Sequence, residues 1–300
     1  MRRLAAISAK LAFVASVLAP AIAHADGPPN DDAASATAEV DTTHDAPPAG
    51  VVAPPDKKPF YIRVGGVFIK PLSTSQPMQL SDIDGPASLA LMNGPIVGSG
   101  ASVASAATPG LVVGYRLPYM HRRISVETVL GLPFTVKFTA TGTLANQSLA
   151  PTALGIPTGV QPLGPELGEA KAAPPVVTAV YSIIDHGIVQ PYAGLGFAVL
   201  FSYDAKVTNP TLTADGTPQM SVPPAPGLVL QVGSDFKVYK EWYLRVDVKY
   251  IAFMQADATV HDISVATPNI PLFGNVEVGT AKMSVDVNPL IIQAGVGTDF

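Results

Sequence analysis

The sequence predicts an all-β fold: an eight-stranded antiparallel barrel that crosses a membrane. Three observations carry this. Charged residues make up 14% of the chain, against about 25% in ordinary soluble domains. Mean hydropathy is positive, yet no apolar run after the first residues approaches the roughly 20 residues that a membrane helix needs. Apolar side chains instead return at every second position, the period of a strand with two unlike faces.

The start of the chain reads as an export signal. Arg2 and Arg3 precede an apolar stretch through Leu11, Phe13, Val14, Val17 and Leu18, and Ala23-His24-Ala25 offers a small-x-small cleavage site. That layout is a secretory signal over residues 1–25, and the run is too short to serve as a spanning helix. Cysteine is absent, so no disulfide staples the exported chain. Residues 26–58 are rich in Ala, Pro, Asp and Thr. With little apolar surface to bury, they are expected to form a disordered periplasmic lead.

The barrel is assigned to residues 59–300. Phe60–Ile69 opens the alternation: the even positions are nearly all large and apolar, while Tyr61, Arg63 and Gly65 fall on the odd face. Further strands are expected near 111–117, 124–132, 176–183, 191–202, 227–237, 242–254 and 281–300, which makes eight. Short connections at Tyr119–Arg123, Ile184–Ile188 and Val238–Glu241 alternate with long ones near 71–108, 141–174, 203–226 and 255–280. Short periplasmic turns and long outer loops are the usual outer-membrane arrangement. The long connections are read as structureless, with Asn209 an exposed loop position. Pro133 and Pro289 interrupt strands in which every N–H should pair. They are read as bulges where the wall loosens or opens.

Phe60, Tyr115, Tyr181, Phe236, Trp242 and Phe300 fall on the outward face at the short-turn end of their strands. Aromatics at one level form an interfacial girdle. The alternation that ends in Phe300 also resembles the C-terminal signal read by outer-membrane assembly machinery.

The inward face changes character along its length. Near the periplasm it carries Arg63, Arg116, Glu127, Asp235, Arg245, Asp247 and Asp299. Buried charges persist when paired, so an ion-pair plug is expected, with hydrogen bonds added by Tyr192 and Gln231. Mutual satisfaction in a solid barrel accounts for these residues at least as well as ion conduction does. Higher up, Val67, Ile69, Val112, Val129, Val180, Ala198, Leu200, Val229, Ile251, Phe253 and Ile291 line the interior. Eight strands leave room for side chains or one small ligand, so both an apolar pocket and simple packing fit these residues.

Several segments resemble the OmpW family. Ala173-Pro174-Pro175-Val176-Val177-Thr178-Ala179 is similar to its Pro-Pro-led strand, and Gln190-Pro191-Tyr192-Ala193-Gly194-Leu195-Gly196 to its Pro-Tyr-x-Gly-x-Gly segment. Gln231-Val232-Gly233-Ser234-Asp235-Phe236 with Trp242, and Asn288-Pro289-Leu290 leading to Gly295, Gly297 and Phe300, follow in the family's order. The resemblance implies an eight-stranded barrel in the outer membrane with a narrow apolar interior. It also implies passage of small hydrophobic compounds and tips the upper lumen towards a pocket. The alternative is a structural or adhesion barrel with a filled lumen, whose long loops bind outside partners.

Other function classes find little support. His24, His44, His121, His186 and His261 are scattered, and none sits inward beside a Ser as a nucleophile–base pair requires. Neither catalysis, a metal site nor a cofactor is expected. The chain lacks the clustered basic face of a nucleic-acid binder. The expected partners are outer-membrane lipid, small hydrophobic molecules and the assembly machinery.

Overall fold

A computed structural model describes residues 57–214 and 216–300. The export signal and all but the last two residues of the lead lie outside the described residues. Eight strands form the barrel: β1 (Phe60–Lys70), β2 (Ala106–Arg116), β3 (Ile124–Gly131), β4 (Val176–Ser182), β5 (Val189–Val207), β6 (Ala225–Tyr239), β7 (Trp242–Ala252) and β8 (Leu290–Asp299). Each pairs antiparallel with the next, and β8 closes on β1. Closure runs to the last residue: Phe60 and Phe300 exchange backbone N–H···O bonds of 3.0 and 2.9 Å. A closed ladder satisfies every wall peptide without water, which a membrane interior demands.

The period of two sorts side chains as the sequence predicts. Val64, Leu195, Phe197, Val232 and Val296 project from the wall and are at least half exposed. Arg63 and Gln231, next to Val64 and Val232, are buried in the lumen, as is Val112 opposite Arg63 on β2. At the short-turn end the Phe60 ring packs 4.9 Å from Tyr115 and 6.1 Å from Phe300, centroid to centroid. Tyr181 and Trp242 are likewise exposed on the outer wall, and Phe236 is half-buried there.

The long connections depart from expectation, because they contain sheet. Segments 99–103, 134–142 and 166–173 extend the barrel sheet from the upper part of β5. A second sheet joins 219–221, 255–266, 275–286, 79–81 and 94–95, and 74–75 also pairs with 275–286. These strands alternate too: Val276, Val278, Ala281 and Val285 are buried, while Glu277 and Lys282 are exposed. Their inner faces enclose an apolar core that includes Met78, Leu80, Leu144, Leu212, Ile263 and Val265. Asn209 is fully buried rather than exposed. Its side chain donates to the Leu163 carbonyl at 2.8 Å and accepts from the Thr211 and Leu212 amides.

The two prolines mark partner changes rather than bulges. Pro133 separates β3 from segment 134–142, which pairs with other strands. Pro289 separates 275–286 from β8, so the expected strand 281–300 is two strands in two sheets. A residue without an N–H suits a point where the ladder passes between partners.

Candidate functional site

The lumen has two regions. In the lower one, four cations meet four carboxylates. Arg245 donates to both Asp235 oxygens at 2.8 Å and to Glu127 Oε1 at 2.6 Å. Arg63 Nη2 lies 2.8 Å from Asp299 Oδ1 and 3.5 Å from Asp235. Arg116 Nη1 lies 2.9 Å from Asp299 Oδ2. Lys249 Nζ donates to both oxygens of Asp247 at 2.7 Å and to Gln293 Oε1 at 3.1 Å. Gln231 ties the clusters together: its amide donates to Glu127 and Asp247 and its carbonyl accepts from Thr178. All eight charged groups are buried. Desolvating them is costly, and only paired, hydrogen-bonded geometry offsets that cost.

Lys249 is the member that sequence reading omits. Its signal was available: the alternation that turns Arg245 and Asp247 inward also turns residue 249 inward, and three expected cations faced four carboxylates.

Tyrosines complete the floor. Tyr61 donates to Glu127 at 2.6 Å, with the Arg116 guanidinium 4.5 Å from its ring centroid. Tyr192 donates to Asp247 at 3.1 Å, with Arg245 4.8 Å from its ring. Both rings lie across a glycine of the adjacent strand. A Cβ at Gly114 would sit 2.0 Å from the Tyr61 ring, and one at Gly233 2.5 Å from the Tyr192 hydroxyl. These glycines let large aromatic side chains lie flat inside a narrow barrel.

The mouth below is occupied as well. Lys57 donates to Gln190 Oε1 at 2.9 Å, and Arg116 donates to the Lys58 carbonyl at 2.8 Å. Burial, reinforced by the Arg116 guanidinium, brings the Lys57 ammonium down to about 8.

The upper region is apolar. Val67, Ile69, Val112, Val129, Val229, Ile251 and Ile291 form one buried cluster, with Leu200 packed against it. Val180 is buried in the wall facing the lumen but lies outside that cluster. Phe253 does not line the lumen: it is 83% exposed. Its φ of 60° breaks the alternation after β7. Met254 takes the inward place and is buried in the cluster.

Two cavities lie along this axis. One of about 50 Å³ is bounded by Ile69, Leu200, Ile251 and Ile291 among others. The other, of about 100 Å³, sits in the core of the long connections. They share Phe138 and Ala256, and no charged side chain lines either. The smaller cavity meets a seam in the wall. Above Gly110 the β2–β3 ladder ends. Between 104–109 and 132–137 the only backbone bonds that cross are the Leu132 N–H to Pro109 carbonyl bond of 3.5 Å and the Ala104 N–H to Lys137 carbonyl bond of 3.1 Å, while the other edge of Phe134–Lys137 pairs with 169–172. Ala104 and Ala106 on one side of this seam, and Phe134 and Val136 on the other, line the cavity. Among the described residues no His, Asp or Glu grouping has the arrangement of a metal site.

Residues 83–300, from before β2 to the last residue of the chain, match the sequence model of the OmpW family. The chain belongs to the OmpW family. OprG of Pseudomonas aeruginosa, an outer membrane protein, is similar in structure at 21% identity and a TM-score of 0.61, over 82% of this chain and 97% of that one. The outer membrane protein AlkL is similar at 19% identity and 0.45, over 91% and 97%. The outer membrane protein W of E. coli is similar at 18% and 0.44, over 82% and 99%. No curated protein sequence matches the chain. This OmpW-family chain is thus an outer-membrane barrel, with its short turns towards the periplasm and its long connections outside. Its β1 precedes the family match and is tied to it by the ladders with β2 and β8.

Proposed function

We propose that this barrel passes small hydrophobic molecules and is not an enzyme. The observation that carries the reading is the stack of two uncharged cavities above a floor filled with paired charges. An apolar solute entering from outside loses nothing by leaving water and has matching surface along both cavities. It cannot continue through the floor, where it would displace buried ion pairs. The seam between 104–109 and 132–137 is the exit this reading assigns, because there the wall has few ladder bonds and apolar lining on both sides. The solute then enters the bilayer sideways.

The test is uptake into liposomes. In Leu200→Asp or Ile251→Asp a carboxylate stands in the route while the lipid face is untouched. Leu200 is only partly buried, so that variant is expected to fold; a thermal unfolding scan checks both. Uptake of a hydrophobic solute should fall, and that of a small polar solute should not change. Wild-type uptake by a folded variant would remove the lumen as the path and leave the structural or adhesion reading in its place.

A further inference from the structure

We propose that the periplasmic rim of the barrel is the docking surface for the acidic segment 26–56 of the same chain, which continues a strap begun by residues 57–59. The described residues give the strap its course. Arg116 donates through its backbone N–H to the Pro59 carbonyl at 2.7 Å and through Nη1 to the Lys58 carbonyl at 2.8 Å. Lys57 Nζ then reaches Gln190 Oε1 at 2.9 Å. Phe60 opens β1 and Gln190 lies at the foot of β5. These strands are four places apart in a ring of eight and stand on opposite sides of it. The chain therefore crosses the mouth and meets the rim beside the β4–β5 turn.

That point is flanked by cations. On one side the β2–β3 turn, joined to β4 by the Ser182 N–H to Arg123 carbonyl bond of 2.9 Å, presents Arg122 and Arg123. On the other, the Lys237 N–H donates to the Ile188 carbonyl at 2.8 Å, and Lys237 and Lys240 are exposed. Paired strands stand about 4.8 Å apart, which puts both groups within about 10 Å of the strap, measured around the rim. With Lys57 and Lys58 the rim has six cations, against the carboxylates of Asp185, Glu241 and Phe300. Asp185 is taken by Arg123 at 2.9 Å. Segment 26–56 has the opposite charge: seven carboxylates, from Asp26 to Asp56, and no Lys or Arg. Exposed ion pairs contribute little singly, but attachment at Lys57 sets the local concentration of this segment at about the millimolar level. A second copy or a lipid headgroup arrives without that attachment. The surface lies at the periplasmic face and stands apart from the transport reading.

The experiment uses the exported chain from residue 26 onward, in phosphatidylcholine vesicles. The chain has no Cys, so nitroxides go only where Thr42→Cys and Val238→Cys put them, Val238 being 69% exposed on the rim. The distance between the two labels is measured by pulsed electron paramagnetic resonance at about 0.1 M and about 1 M salt, where the screening length falls from about 10 to about 3 Å. One short, narrow distance is expected at low salt and a broad distribution at high salt. R122Q/K237Q/K240Q and D41N/D45N should each give the broad distribution at low salt, whereas K137Q/K171Q/K206Q on the extracellular side should keep the narrow one. A thermal scan verifies that each variant is folded. A broad distribution in the parent chain at low salt would overturn the proposal, as would a narrow distance that survives in the rim variant. So would its loss on dilution with unlabelled chain, which would make the occupant a second copy. Loss on adding phosphatidylglycerol to the vesicles would give the rim to lipid headgroups and overturn it too.

Discussion

The two halves of the lumen answer the same constraint with opposite chemistry. Both fill the interior of the same eight strands. The lower half does so with eight paired charges, two tyrosines and a bridging Gln231, a set in which each partner fixes the next. The upper half does so with Val, Ile, Leu and Met, whose contacts have no fixed direction, and cavities remain among them. Directional pairing rigidifies its members and makes the loss of any one of them costly. Apolar packing is adaptable, and here it leaves cavities of about 50 and 100 Å³. One barrel thereby holds a seal at one end and a receptive interior at the other.

The largest effect should come from taking one charge out of the seal. Arg245→Met leaves Glu127 and Asp235 buried without their main partner and should cost about 3–5 kcal/mol in a bilayer refolding titration. Replacing Arg245, Glu127 and Asp235 together with apolar residues of similar volume should recover most of that loss. Additive costs across the set would mean that the groups act singly and that the lower half is not a network.

A second measurement fixes the wall that both halves share. Val232 is 60% exposed on the outer face of β6. Val232→Arg should destabilise by about 2–4 kcal/mol if it lies near the bilayer midplane. Leu154→Arg, at an extracellular position 78% exposed, should stay within about 0.5 kcal/mol. Equal losses would refute the strand phase. A third sharpens the contrast from the apolar side: Ile251→Val removes one methylene beside a cavity and should cost only about 0.5–1.5 kcal/mol. A loss as large as that of Arg245→Met would mean the upper half is as tightly specified as the lower.

The sequence made the barrel legible because a membrane wall leaves a strict period of two. Arg63, Glu127, Asp235 and Arg245 share one phase across four strands, and their mutual pairing follows from burial alone. What stayed hidden depended on breaks in that phase. Phe253 has the right parity for the lumen, but one left-handed residue turns it out and Met254 in. The extracellular sheets were missed because Gly, Pro and short strands interrupt their alternation, and because their closure rests on pairings such as Lys282 with Gln79 across some two hundred residues. The cavities were beyond reach, since they depend on how those sheets stack.

The last effect is one of pH and concerns Lys57, which stands at the entrance of the lower half. Four cations and four carboxylates above it balance, so a ninth charge finds little net attraction, and burial then disfavours the ammonium. Its pKa of about 8 in the folded chain, against 10.5 when unfolded, fixes the sign. Below about pH 8 the group is charged in both states and the fold carries the full penalty. Between about 8 and 10.5 the folded chain has released a proton that the unfolded chain still holds, so stability attributable to Lys57 rises with pH and levels off above. Lys57→Met removes that dependence. The difference in unfolding free energy, wild type minus variant, should therefore climb across this window in a refolding titration repeated at several pH values. A difference that falls instead would show that Asp299 and Asp235 hold Lys57 as an ammonium and that the floor carries unbalanced negative charge.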